Sequence, residues 1–148
     1  MSPGEKTARI LLVDPDPEVV ALVRSAIEPE GWTLDPVTDG DRCISRFEKG
    51  APDVCLIDSA LPDIAGLDLL PKIHGIDANV PVLILDASPT IEEAVAAMRL
   101  GAANYLAKPL DPKRLLDSIR SAMQLVWAKR EIERLKVETG RMAKVPID

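Results

Sequence analysis

Three aspartates stand where short apolar runs end: Asp14 just after Arg9–Val13, Asp58 at the close of Val54–Asp58, and Asp86 at the close of Val82–Asp86. An acid in such a place has two ordinary uses. It caps the helix that follows, accepting hydrogen bonds from the first unpaired amides. Or it joins other carboxylates in a crevice, where together they hold a divalent cation or supply a nucleophile. One such acid reads as a cap; three at the same edge of one sheet read as a site. The other chemically capable residues offer less. His74, the only histidine, lies in a Gly-Ile-Asp-Ala-Asn neighbourhood near a helix end and is expected to face solvent. Cys43 and Cys55, the only cysteines, sit in apolar or amphipathic segments, which predicts two buried thiols rather than a disulfide. No Cys/His cluster has metal-ligand spacing, and Trp32 and Trp127 are expected to serve packing or an interface.

For the three acids to meet, the runs that carry them must be neighbours in a sheet. Five runs, Arg9–Val13, Thr33–Val37, Val54–Asp58, Val82–Asp86 and Asn104–Ala107, alternate with five segments of helical period. That alternation predicts an α/β fold, a doubly wound five-stranded parallel sheet with helices on both faces. ILLV, VCLI and VLIL are continuously apolar, as central strands are, whereas TLDPV contains Pro36 and reads as an edge. The helices are marked by their ends. The first follows Pro17 with Asp16 as its cap and stops at Pro29 and Gly31; the second starts near Asp39 and ends at Gly50. The third begins around Gly66 with Pro71 in an early turn, where it is expected to distort the helix. Thr90-Ile91-Glu92-Glu93 has capping-box spacing for the fourth, which ends at Gly101, and Asp111-Pro112 opens the fifth. Sheets of this kind take ligands beyond the carboxyl ends of their strands, where the three aspartates fall.

Composition narrows the class. A chain of 148 residues, 47% hydrophobic and 28% charged, suits one globular domain. No apolar run approaches the roughly 20 residues of a membrane span, and MSPGEKTAR lacks the apolar stretch of a signal peptide, so a cytoplasmic location without membrane contact is expected. The net charge of −6 divides unevenly: residues 1–107 hold 18 acids and 8 Lys/Arg, residues 108–148 hold 6 and 10. Because the tail alternates in sign (Lys129-Arg130-Glu131, Glu133-Arg134), it reads as a solvated helix face, and direct nucleic-acid contact is not expected.

Four blocks carry a family resemblance: Leu11-Leu12-Val13-Asp14-Pro15-Asp16-Pro17; Pro52 to Gly66, with Asp58, Pro62 and Gly66; Val80-Pro81-Val82-Leu83-Ile84-Leu85-Asp86-Ala87; and Gly101-Ala102-Ala103-Asn104-Tyr105-Leu106-Ala107-Lys108-Pro109. In this combination and order the chain resembles the receiver domains of two-component response regulators over residues 9–126. The resemblance implies a flavodoxin-like strand order, 2-1-3-4-5, and phosphoryl transfer from a sensor histidine kinase or phosphotransfer protein to Asp58. Such a module is not an enzyme in the turnover sense, although it catalyses its own phosphorylation. By the same resemblance Lys108 is the fixed cation, Tyr105 the switch residue, and Asp14, Asp58 and the Ala60 backbone carbonyl the ligands of Mg²⁺. The Lys108-Pro109 bond is implied to be cis.

Two departures bear on reactivity. Pro15 replaces the second member of the acidic pair, which weakens the expected Mg²⁺ site, and Asp16, between two prolines, reads as a helix cap and not a substitute. Asp86 stands where the family has Thr or Ser. A carboxylate about 4 Å from a phosphoryl group costs about 4 kcal/mol per unit charge at an effective dielectric of about 20. Three readings of Asp86 stay open here: a residual repulsion, a replacement metal ligand, or a partner of Lys108. Two functional readings follow, a phosphoacceptor at Asp58 and a phosphorylation-independent pseudo-receiver that works as an interaction module. A nucleotide-binding enzyme on the same fold is disfavoured, because DPDPE after the first strand repels a phosphate. In the fifth helix Leu115, Leu116, Ile119, Met123 and Val126 face the core, and from Leu125 the apolar positions Leu125, Ala128, Ile132, Leu135 and Met142 approach a heptad seam. Residues 127–148 are therefore expected to form a helical extension, helix to about Thr139, that dimerises as a short coiled coil and connects to an output partner or a missing output domain.

Overall fold

The computed structural model describes residues 7–143, with side chains to residue 140. The elements run β1 (Arg9–Val13), α1 (Pro17–Ile27), β2 (Thr33–Val37), α2 (Gly40–Glu48), β3 (Val54–Asp58), α3 (Gly66–Ile76), β4 (Val82–Asp86), α4 (Ile91–Arg99), β5 (Asn104–Ala107) and α5 (Pro112–Ala143). All strand pairs are parallel and the order is β2-β1-β3-β4-β5. This is the doubly wound, flavodoxin-like sheet that the run pattern and the family resemblance imply, with β2 and its Pro36 at one edge.

Parallel strands covered on both faces are buried throughout, and β3 and β4 are buried at every position. Alternate residues feed two cores. Leu11, Val13, Cys55, Ile57, Val82 and Ile84 meet α2 and α3 on one face. Ile10, Leu12, Val54, Leu56, Leu83 and Leu85 meet α1 and α5 on the other. Each fully buried Leu or Ile contributes about 1.5–3 kcal/mol relative to exposure, so the central strands hold the sheet and place the residues at their carboxyl ends.

The caps lie where residue types put them. Asp16 accepts from Glu18 N–H at α1, Asp39 from Arg42 N–H at α2, and Thr90 from Glu93 N–H at α4. Cys43 and Cys55 are free and buried side by side. Trp32 is buried against α5 with the Arg120 guanidinium over its ring at 5.9 Å, and Trp127 packs on the same core. Helix α3 runs through Pro71 without a break. One expectation fails: His74 does not face solvent. It is half-buried, and its Nε2 lies 3.1 Å from the Val80 carbonyl, because the α3–β4 connection folds back over the ring.

Helix α5 spans 32 residues, about 48 Å at 1.5 Å per residue, slightly longer than expected. Its first half is core: Leu115, Ile119, Met123 and Val126 are buried. Leu125, Ile132 and Leu135 are exposed, Ala128 likewise; the side chain of Met142 lies outside the described residues. Among the described residues no helix is long and apolar enough to cross a membrane.

Candidate functional site

Asp14, Asp58 and Asp86 are the buried charged side chains among the described residues, exposed 1%, 8% and 4%. Their strands, β1, β3 and β4, are adjacent in the sheet, so all three acids reach its carboxyl edge. A buried carboxylate costs several kcal/mol unless a cation or several donors compensate it. The three are compensated in two different ways.

Lys108, just past β5, serves the first two. Its Nζ donates to Asp14 Oδ2 at 2.7 Å and to Asp58 Oδ1 at 3.1 Å, and its side chain is only 15% exposed. The remaining Asp14 oxygen accepts from Asp16 N–H at 2.9 Å, so the Pro15 turn folds onto the acid that precedes it. Lys108 N–H donates to the Asp86 carbonyl at 2.8 Å, and the Lys108-Pro109 bond is cis. Burial pushes the Asp58 carboxyl above the ordinary range; the Lys108 hydrogen bond opposes that shift and the Asp14 charge adds to it. Burial also works against the Lys108 ammonium, but hydrogen bonds and charge from Asp14 and Asp58 outweigh it and raise its pKa. Two carboxylates against one ammonium leave this pocket with a net negative charge.

Asp86 turns the other way. Its Oδ1 accepts from Ser88 N–H at 2.9 Å and its Oδ2 from the Tyr105 hydroxyl, with the Ser59 side chain also bonded to it. Burial opposes its ionisation, yet the hydrogen bonds of Tyr105, Glu93, Ser88 and Ser59 outweigh burial and bring its pKa down to about 2. One of the roles left open for Asp86 is therefore corrected. Lys108 is taken by Asp14 and Asp58, and the Asp86 carboxylate is engaged by Tyr105 and Ser88, so it does not pair with the lysine. Tyr105 joins a third element: its hydroxyl lies 3.2 Å from Glu93 Oε2 on α4. A phenol has one proton to donate. The Glu93 contact therefore closes when Glu93 itself is protonated, and the neighbouring Asp86 raises its pKa. Burial and the two carboxylates also raise the Tyr105 pKa, keeping the phenol protonated.

Asp16 caps α1 and stays outside the pocket. Ala60 reaches it through its backbone, its N–H bonding the Asp58 carboxylate. Three residues with parts in this edge, Ser59, Glu93 and Asp63, carried no separate signal, and Gly66 showed only as a turn residue opening a helix. Ser59 and Glu93 act through side-chain contacts between elements; Glu93 showed only as the end of a capping box. Asp63 clamps the β3–α3 loop to α2, accepting from Gly40 N–H at 2.9 Å and Asp41 N–H at 3.0 Å. Gly66 is needed for space: a Cβ there meets the Asp58 carbonyl oxygen at 2.7 Å.

Comparison with known proteins agrees with this arrangement. The model of the response regulator receiver domain matches residues 10–120. The transcriptional regulatory protein TrcR of Mycobacterium tuberculosis is 33% identical over 140 residues, 95% of this chain and 53% of TrcR. The regulatory protein AtoC of Escherichia coli is 32% identical over 127 residues, 86% of this chain and 28% of AtoC. The chain thus spans about half or less of the length of these relatives. Among solved structures, NtrX from Brucella abortus in complex with ADP superposes with TM-score 0.82 at 30% identity, covering 88% of this chain and 30% of NtrX. A CheY-like receiver domain protein from Methanospirillum hungatei superposes with TM-score 0.78 at 25% identity, covering 84% of this chain and 99% of that one. The chain belongs to the response-regulator receiver family, the signalling modules of two-component systems.

Proposed function

We propose that Asp58 is the phosphoacceptor of this receiver, with Lys108 as its fixed cation. The observation that carries the reading is the Lys108 ammonium between Asp14 Oδ2 and Asp58 Oδ1 at the carboxyl edge of the sheet. An Asp58 oxygen attacks phosphorus in line; the O–P bond forms as the P–N bond of a phosphohistidine breaks, and the donor nitrogen leaves with the electron pair. Lys108 moves its hydrogen bond from the Asp58 carboxylate to the arriving phosphoryl oxygens, so the ammonium stays compensated throughout.

The donor set fits Mg²⁺, a hard cation that takes one or two carboxylates and completes its shell with water and phosphate oxygens. Two buried carboxylates with a single ammonium leave the negative charge it requires. Asp14, Asp58 and the Ala60 backbone carbonyl are the groups that would hold it, and bound there it would neutralise charge on the phosphoryl oxygens. Pro15 in place of a second acid next to Asp14 would leave that ion two carboxylates, Asp14 and Asp58.

The donor in this reading is a sensor histidine kinase or phosphotransfer protein, in the cytoplasm. The phosphorylation state passes through Asp86, Tyr105 and α5 to an output domain or partner, and the α5 extension supports a homodimer. Because relatives such as TrcR are named as transcriptional regulators, the output proposed is transcription, with nucleic acid touched by the output part and not by residues 9–126. The test is incubation with acetyl phosphate and Mg²⁺ followed by peptide mass spectrometry. One phosphoryl group on Asp58, absent from Asp58→Asn and increased by Pro15→Asp with Asp86→Thr, is the expected result. No adduct and no Mg²⁺ affinity would leave the phosphorylation-independent module as the function. A mass that is the same with and without residues beyond Val126, at high concentration, would remove the dimer.

A further inference from the structure

The loop from Ser59 to Gly66 carries the Ala60 carbonyl, and a backbone oxygen serves as a ligand only where the chain holds it still. Mg²⁺ tolerates little error, since it demands near-octahedral geometry at about 2.0–2.1 Å. A carboxylate can adjust to that through its rotamers, whereas a carbonyl moves only with its peptide. With Pro15 leaving two carboxylates, the carbonyl carries a larger share of the holding than it would beside a third acid. Whatever fixes the loop is therefore part of the site.

The base of the loop is closed from within. Ser59 N–H donates to the Leu85 carbonyl at 2.8 Å, and Gly66 N–H to the Ser59 carbonyl at 2.9 Å. Ala60 and Ala65 pair as an antiparallel bridge, and Ala60 N–H bonds the Asp58 carboxylate. The tip is held from outside. Asp63 Oδ1 accepts from Gly40 N–H at 2.9 Å and its Oδ2 from Asp41 N–H at 3.0 Å. Both carboxylate oxygens are thus used on the first turn of α2, where a negative charge is favoured. Asp63 is exposed and has water to accept from, so burial does not impose this arrangement. The contact beside it is close: a Cβ on Gly40 would meet Ile64 Cγ2 at 2.5 Å. Nor does α2 depend on Asp63 alone for its cap. Asp39 Oδ1 accepts from Arg42 N–H at 2.8 Å and the Asp39 carbonyl from Cys43 N–H at 3.1 Å. The four leading amides of the helix are divided between a local residue and one 22 or 23 positions away. The local cap orders the helix; the distant one ties the helix to the loop.

We infer that Asp63 is a positioning residue for the cation site, acting through the loop backbone to hold the Ala60 carbonyl at the pocket. The inference rests on the phosphoacceptor reading above. It adds to that reading a residue that touches neither the phosphoryl group nor the metal, and it makes α2 the support against which the metal loop is set.

The test uses the full chain and starts without phosphate. Mg²⁺ is titrated into the parent, Asp63→Ala, Asp63→Asn and Asp39→Ala, and followed by amide NMR shifts. Asp63→Ala should bind Mg²⁺ about tenfold more weakly, the lower end of the loss expected when a group supporting a metal ligand is removed. Asp63→Asn, which keeps one acceptor, should fall between it and the parent, and it decides the comparison if Asp63→Ala does not fold. Asp39→Ala removes the local cap of the same helix and should lower stability while leaving the Mg²⁺ affinity unchanged. In the metal-free chain, hydrogen exchange at the Ala60 and Gly66 amides should quicken in Asp63→Ala and not in Asp39→Ala. With acetyl phosphate, the Asp63→Ala rate should half-saturate at about tenfold more Mg²⁺ and reach the parent's plateau. Parent-like Mg²⁺ affinity in both Asp63 variants overturns the inference. So does an equal loss in Asp39→Ala, which would make the effect one of helix stability, or a lowered plateau at saturating Mg²⁺. If the parent itself takes up neither Mg²⁺ nor a phosphoryl group, the phosphoacceptor reading falls, and the parent alone shows it.

Discussion

Asp58 and Asp86 end neighbouring strands and are about equally buried, yet they are held in opposite ways. Asp58 shares an ammonium with Asp14 and its pKa stands above the ordinary range, whereas Asp86 has no cation beside it, is held by Tyr105, Glu93, Ser88 and Ser59, and has a pKa of about 2. A buried carboxylate beside a single shared cation is destabilised as an anion by the second carboxylate. One surrounded by a phenol, a hydroxyl and a backbone amide shares only the phenol, with the Glu93 carboxyl at 3.2 Å, and keeps its charge. The first arrangement suits a group that must react, because its charge is incompletely neutralised. The second suits a group that holds its neighbours in place.

If that contrast is right, the largest effect should come from Lys108→Ala. It leaves Asp14 and Asp58 buried together with no cation, a loss of about 3 kcal/mol at pH 7 in urea unfolding, and phosphorylation of Asp58 should vanish with it. Lowering the pH should shrink the penalty, since a proton on Asp58 replaces the missing cation. Adding Asp14→Asn should recover part of the loss, so the two changes are not additive. Equal penalties at pH 7 and pH 5 would mean that the pocket is not held by charge.

Gly66→Ala should cost about 2 kcal/mol, because the new Cβ meets Asp58 backbone at 2.7 Å and backbone does not yield cheaply. Its effect should be confined to one side of the contrast. In NMR spectra the Asp58 carboxyl resonance should move while that of Asp86 stays.

Removing Asp86 should cost less than removing Lys108. Asp86→Ala leaves a Tyr105 hydroxyl and a Ser88 amide that water can reach, about 1–2 kcal/mol. The pH dependence carries the sign. The Asp86 pKa is lower in the folded chain than in the unfolded one, so its contribution is complete above about pH 4 and is lost as pH falls toward 2. The Asp58 pKa is raised by folding, so its ionisation works against the fold and that cost appears as pH rises above about 4. Carboxyl ¹³C titrations should place Asp58 above and Asp86 below the ordinary range.

The strands were legible because each is a short apolar run stopped by an acid, a proline or a glycine, signals that lie within a few residues. The helix caps at Asp16, Asp39 and Thr90 were legible for the same reason. The convergence of Asp14, Asp58 and Asp86 followed from topology, since parallel strands bring all their carboxyl ends to one edge. What escaped depends on where a side chain points between elements. Nothing near Asp86 in sequence says that it turns to Tyr105 rather than Lys108, and nothing near His74 says that the Val80 carbonyl will cover it. Asp63 escaped for a related reason, and Gly66, legible as a turn residue, hid its contact with Asp58: both act in close approach between a loop and another element, which residue type alone does not specify.

The smallest expected effect is that of Glu93→Gln, and it is the finest probe of the Asp86 side. The Tyr105 hydroxyl gives its one proton to Asp86, so the 3.2 Å contact to Glu93 requires a proton that Glu93 brings itself. At neutral pH that proton is largely absent, and an exposed glutamate gains little by holding it. A glutamine carries a permanent amide donor in the same place and should close the contact at every pH. Stability should scarcely change. The chain has a single tyrosine, so one ¹³Cζ resonance reports the result. In the native chain it should shift as Glu93 takes up its proton on acidification, and in Glu93→Gln that step should disappear while the Asp86 step at lower pH remains. If both steps vanish, the two carboxylates do not divide the phenol as their distances indicate, and Asp86 does not keep its charge independently of α4.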